Sequence, residues 1–418
     1  MTASTPREER VSQFGSLLLV CIVYEVGLMG SGRMLQAGPL TVRMWLFLAA
    51  VAYAIWTALA ARKLSWASVQ VSTVLAVTLL FAFTIGVSQN AQLDLVVEDI
   101  KPVLYFYMLL FFEATIRTLR DVEKVVRIIK RVGLLLCVMY AIVFALLLTK
   151  VVSFVVLYAA TAVFQDELFF RGDSGMFLYK GSIYIGIAFF FFVFSENKRS
   201  KLGAAICVLG LVATGTRGFL AALALTGVVY LLMSEIRAVR KVLLLAFISL
   251  LAVIGFAVIS NPEAQAASDR ERIITFAQVM EKVNPVSIFF GHGFGLGVPE
   301  RPVHMELAFL EVFHKQGVLG LAWWAIVFVL LFARFRKASK TPERKLAHAF
   351  LLSVLFVFVE SWTNPWITNP IGMAALLLAL ASLKVIGRAR MDAEQTTTVR
   401  LTDGIPPAGR DGMMAEMG

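Results

Sequence analysis

The chain has 418 residues, of which 59% are hydrophobic and only 16% charged, and its mean hydropathy is +0.79. A soluble domain of that composition would lack the polar surface its exterior needs. The formal net charge of +11 does not point to nucleic acid, because Lys and Arg collect in the short cytoplasmic loops of membrane proteins.

Apolar runs recur along the chain at the length that spans a hydrocarbon core, roughly 17–25 residues. In chain order the expected spans are 14–30, 44–61, 68–87, 97–115, 132–149, 181–195, 202–215, 218–233, 242–260, 317–333, 346–361 and 371–386. This predicts an all-α polytopic membrane protein of about twelve transmembrane helices. Residues 1–390 are expected to form one transmembrane domain, and the polar stretch 391–418 is expected to be a disordered cytoplasmic tail. Cys21, Cys137 and Cys207 lie inside apolar runs and read as packing residues rather than disulfides or ligands. No cleavage pattern follows Arg7 and Arg10, so the first span is expected to stay uncleaved.

With both termini cytoplasmic, the inner loops hold Arg62 and Lys63, the Arg117–Arg131 group, Lys198 to Lys201, Arg237 to Lys241, and Arg334 to Lys345. That distribution obeys the positive-inside rule. Two outer segments are long, 150–180 and 261–316. The second reads as helix, glycine turn, helix. Ile273, Phe276, Met280 and Val283 share a helical face suited to an outer membrane surface, and Pro285 is expected to close that element. Gly291-His292-Gly293-Phe294-Gly295 then precedes a short helix from about Val303 to Lys315.

Candidate functional residues gather on that outer side. Arg217 sits in the tight turn Thr214-Gly215-Thr216-Arg217-Gly218, where a guanidinium at the membrane boundary binds an anion or snorkels. Arg171, Lys180, Arg270 and Arg272 are basic residues on the side where the charge rule disfavours them; phosphate recognition and salt bridging to Asp173, Asp269 or Glu271 are both open. His304 can accept a proton from a hydroxyl or hydrogen-bond a phosphate. Placed on one helix, His304 and His314 stand about 80° from a shared face, a poor chelating pair. Asp94, Glu98, Asp99 and Lys101 begin the fourth span and either line a cleft or cap its helix. No Asp-x-Asp pair suited to a nucleotide-sugar metal site stands in an extramembrane loop, and no phosphate-binding loop of the nucleotide-triphosphatase type is present.

The Thr216-Arg217-Gly218 turn, the Arg171 loop and the stretch from Arg272 to Gly320 resemble the O-antigen ligase and polymerase superfamily of membrane glycosyltransferases. Gly291-His292-Gly293-Phe294-Gly295, His304 and Gly317-x-x-Gly320 carry the likeness most specifically. Where that family often has Asn after the histidine, this chain has Met305. The resemblance implies a GT-C-like fold in the bacterial inner membrane and a periplasmic active site. It implies an undecaprenyl-pyrophosphate-linked glycan as donor, a glycolipid acceptor and inverting transfer without metal or cofactor. His304 is then the general base or a pyrophosphate ligand, with Arg217 beside it and Arg171, Lys180, Arg270 and Arg272 holding the pyrophosphate. Met305 tips the reading toward polymerisation of repeat units over ligation to lipid A-core. Transfer onto a protein side chain is a third enzymatic option, and a flippase of lipid-linked sugars is the alternative of a different class. Membrane lipid and a candidate chain-length regulator complete the implied partners.

Overall fold

The computed structural model describes residues 6–30, 32, 36–37, 40–61, 65–162, 167–170, 176–235, 237–246 and 262–403. The described residues are predominantly helical. The helices are α1 (Pro6–Leu28), α2 (Val42–Ala61), α3 (Trp66–Ser88), α4 (Leu93–Leu104), α5 (Met108–Thr115), α6 (Leu119–Leu148), α7 (Phe154–Ala162), α8 (Ile183–Val193), α9 (Lys198–Ala213) and α10 (Arg217–Met233). They continue with α11 (Pro262–Lys282), α12 (Pro285–Phe290), α13 (Ala308–Ala338), α14 (Arg344–Glu360) and α15 (Pro370–Asp403). Two short antiparallel ribbons interrupt the all-α plan, β1 (Gln36–Ala37) with β2 (Leu40–Thr41) and β3 (Leu168–Phe170) with β4 (Phe177–Tyr179).

Among the described residues, five helices are long and apolar enough to cross a membrane, and three shorter apolar helices accompany them. The expected span 97–115 is split. Pro102 removes a backbone donor inside α4, and a 3-10 turn at Tyr105–Tyr107 joins α4 to α5. The expected ninth span is helical at 238–246, and its remainder lies outside the described residues. The last helix, α15, is described as far as Asp403, past Met391 where the polar tail is expected to begin. Arg388 to Gln395 are mostly good helix formers, and a helix already nucleated by packing propagates through them.

Two antiparallel helix pairs show that the bundle has two ends. Trp323 Nε1 donates to the Val71 carbonyl at 3.1 Å and Arg334 Nη2 to Ser68 Oγ at 2.7 Å, so α13 runs antiparallel to α3. Ser353 meets Ile187, and Phe190 and Phe191 meet Phe356 and Phe350, setting α14 antiparallel to α8. Most of α15 from Ile371 to Ile386 is buried, and its sequence is apolar on every face, as a central helix requires. Leu59, Leu80, Leu209 and Val329 instead face outward on the bundle's perimeter. The connections at one end hold Arg117, Lys198, Arg199, Lys340 and Arg344. There Glu113 accepts from Lys384 Nζ at 2.5 Å and from Ser68 Oγ at 2.5 Å, and pairs with Arg334 Nη1 at 2.7 Å. This buried cluster ties α3, α5, α13 and α15 together. The opposite end carries α11, α12 and the glycine-rich segment.

Candidate functional site

The glycine-rich segment is a strap that completes a broken helix. Gly317 adopts φ 63° and ψ −158° inside α13 and interrupts its hydrogen-bond ladder. The carbonyls of His314 and Lys315 accept instead from His292 N at 2.7 Å and Gly293 N at 3.0 Å. The strap then crosses α3, where Phe294 N donates to the Ala82 carbonyl at 3.1 Å, and reaches α4, where Gly295 N donates to Asp99 Oδ2 at 2.7 Å. Close approach demands glycine here. A Cβ on Gly293, which has φ +89°, would lie 2.6 Å from Gly86 Cα, and one on Gly317 would lie 2.6 Å from Gly291 N. Burial, with the Lys282 ammonium second, holds the His292 imidazole below its ordinary pKa.

Asp99, delivered by the strap and α4, meets the start of α13. Lys315 Nζ donates to Asp99 Oδ1, Glu311 Oε1 and the Val303 carbonyl, each at 2.6 Å. The side chains of Lys315 and Asp99 are 3% and 4% exposed. His304 stands at the mouth of this group with its side chain 48% exposed, Nδ1 lying 3.4 Å from Glu311 Oε1 and 3.8 Å from Asp99 Oδ1. A proton on Nδ1 shared with Glu311 leaves the Nε2 lone pair available as a base. The donor atoms of Asp99, His304 and Glu311 lie within 4.8 Å of one another and could hold a metal. The Lys315 ammonium already stands on both carboxylates, so a divalent ion would compete with it.

His304 is on a loop, four residues ahead of α13, and not on a helix as the sequence suggests. Leu307 is the N-cap, and the first helical residue, Ala308, donates its N–H to the Ser361 carbonyl at 3.3 Å. This tertiary bond fixes the helix start. Pro285 likewise opens a helix besides closing one. With Asn284 as cap, accepting from Val286 N and Ser287 N, Pro285 starts α12 at the position where a missing N–H costs nothing. Met305 is buried with Val279 and Val298 in a small core under the loop, which accounts for an apolar residue beside His304.

The expected cations fall in different places. Arg217 is the first residue of α10, after Gly215 at φ +62°. Gly218 packs on the buried Glu360 carboxylate, where a Cβ would lie 2.6 Å from Oε1. Glu360 precedes Ser361, the acceptor for Ala308, so the end of α14 links the Arg217 turn to the His304 loop. Arg272 donates to Glu306 Oε2 at 2.9 Å and to Asp269 Oδ1 at 3.1 Å, joining the ion-pair alternative already open from sequence. Arg301 pairs with Glu271 and, at 2.9 Å, with Glu306 Oε1. Arg272, Thr275, Arg301, Glu306 and Leu307 line a small surface pocket. Arg270 is exposed on α11. Lys180 stands at the start of a 3-10 turn after β4, beside α1, α6 and α8. Arg171 lies outside the described residues.

Sequence reasoning passed over Glu311, Lys315 and Arg301, and left Asp99 undecided between cleft and cap. The i,i+4 spacing of Glu311 and Lys315 and the outer placement of Lys315 were the available signals. No protein-family model matches the chain, and no curated protein matches it.

Proposed function

We propose that the chain is a membrane glycosyltransferase of the O-antigen ligase and polymerase type, with a GT-C-like bundle of about twelve spans in the bacterial inner membrane. The reading places the basic connections in the cytoplasm and the His304 end in the periplasm. It rests on one observation above all: a solvent-facing His304 at the membrane end of the bundle, its Nδ1 beside Glu311 and Asp99, in a loop fixed by a glycine strap.

In this mechanism His304 Nε2 takes the proton of an acceptor hydroxyl as its oxygen attacks the anomeric carbon of the glycan. The new C–O bond forms as the bond to undecaprenyl pyrophosphate breaks, and the pyrophosphate leaves with the electron pair. One displacement inverts the anomeric centre. Asp99 and Glu311, both held by Lys315, fix the carboxylate that orients the His304 ring. Arg217, reached through the α14 end, with Arg171, Lys180 and Arg270, supplies the positive field for the leaving group, while Arg272 is taken up by Glu306 and Asp269. A lipid-linked repeat as acceptor makes the protein a polymerase; lipid A-core makes it a ligase.

Deleting the gene and complementing with wild type or His304→Ala tests this reading through surface-glycan length. Single-repeat products in the deletion and the variant indicate polymerisation. Long, unattached lipid-linked chains indicate ligation. Full-length attached glycan in both strains contradicts the reading.

A further inference from the structure

The six residues of α12 are mostly apolar and face away from the protein. Val286 is 67% and Phe289 60% exposed, with Ile288 and Phe290 also open. On α11, Ile273, Phe276 and Met280 form an outward apolar face of their own. The α12 surface is continuous with the perimeter of α3, because the Phe290 ring lies 6.0 Å from Phe81, and Phe81 adjoins exposed Leu80.

The depth of α12 follows from the same contacts. Phe294, just past α12, is bonded to Ala82, six residues before the end of α3 at Ser88. At about 1.5 Å per residue that is about 9 Å inside the end of α3. The 23 residues of α3 span about 35 Å, against a hydrocarbon core of about 30 Å. Centring α3 in the bilayer therefore puts the strap roughly 6 Å below the hydrocarbon boundary, within the ~5–10 Å that interfacial helices occupy.

We propose that α12, with the outward face of α11, is seated at the boundary between headgroups and acyl chains, so that the lipid surface is the partner of this face. The strap carries that seating directly to Asp99 and Lys315. The His304 group is thereby held close to the headgroup–acyl boundary, where an amphiphile's polar head arrives sideways from the membrane. The inference does not depend on the transfer chemistry.

Spin labels test it in nanodiscs of mixed zwitterionic and anionic lipid. In a Cys21→Ser background, with Cys137 and Cys207 buried, single labels are placed through Val286→Cys, Phe289→Cys, Leu80→Cys and Glu300→Cys. The ratio of oxygen to nickel-chelate accessibility at 286 and 289 is expected to approach that at 80 and to exceed that at 300 several-fold. A ratio at 286 and 289 equal to that at 300 overturns the proposal. Protection from both reagents also overturns it, since a protein partner or second copy then covers the face. If the label at 289 lowers the yield of monodisperse protein, the label at 286 decides.

Discussion

Lys315→Met removes the one cation from a buried group containing two carboxylates. The stem of Lys315 is replaced almost isosterically, so the loss is chiefly electrostatic. Asp99 and Glu311 each lose a partner at 2.6 Å, and the Val303 carbonyl loses its donor. Breaking a buried pair from one side costs about 3–5 kcal/mol. Asp99 keeps the Gly295 N–H on its other oxygen, and Glu311 is the more exposed carboxylate at 14%, so the lower end, about 3 kcal/mol, applies. Lys315→Met combined with Asp99→Asn returns the local charge to one net negative and is expected to recover at least about 1 kcal/mol. Equilibrium unfolding by SDS in mixed micelles, followed by tryptophan fluorescence, measures both variants. A Lys315→Met cost below about 1 kcal/mol, the scale of an exposed ion pair, would refute the reasoning.

At the opposite end, Glu113→Gln leaves Arg334 and Lys384 facing each other in the core, and the same unfolding assay should show a loss of about 3 kcal/mol, partly recovered by adding Lys384→Met; a neutral outcome removes the cluster from the account. Gly293→Ala forces a side chain into φ +89° against Gly86 and Ala82. Strain alone costs about 1–3 kcal/mol, so its thermal midpoint should fall clearly below wild type, and an unchanged midpoint would mean the strap does not make this contact. His292 has a folded-state pKa below its unfolded value, so the unfolded chain binds more protons between the two values. Stability is therefore present above about pH 6.5 and lost as pH falls below it. Between about pH 7.5 and 5.5 the wild-type midpoint should drop more steeply than that of His292→Asn; parallel profiles would assign the acid sensitivity elsewhere.

Local features were largely legible from sequence. The glycines at 291, 293, 295 and 317 announced a special backbone, and the structure shows why they occur together: the strap's N–H groups satisfy the carbonyls that the break at Gly317 releases. The basic connections were legible as one end of the bundle because charge distribution needs no knowledge of packing. The ion-paired heart of the site was not. Lys315 and Asp99 are 216 residues apart, and no periodicity relates α4 to α13. The helical placement of His304 failed because a bond from Ala308 to Ser361, across α14, decides where α13 begins. Pro285 was read correctly as a terminator and missed as an initiator, since the same residue serves both when a capping Asn precedes it.

The most direct test of the central claim is turnover by purified protein in nanodiscs supplied with undecaprenyl-pyrophosphate-linked oligosaccharide and acceptor glycolipid. Release of undecaprenyl pyrophosphate with joined glycan is predicted for wild type, and loss of both for His304→Gln under conditions where its unfolding midpoint is unchanged. Equal release by the variant, or no release by wild type with either acceptor, would contradict the account.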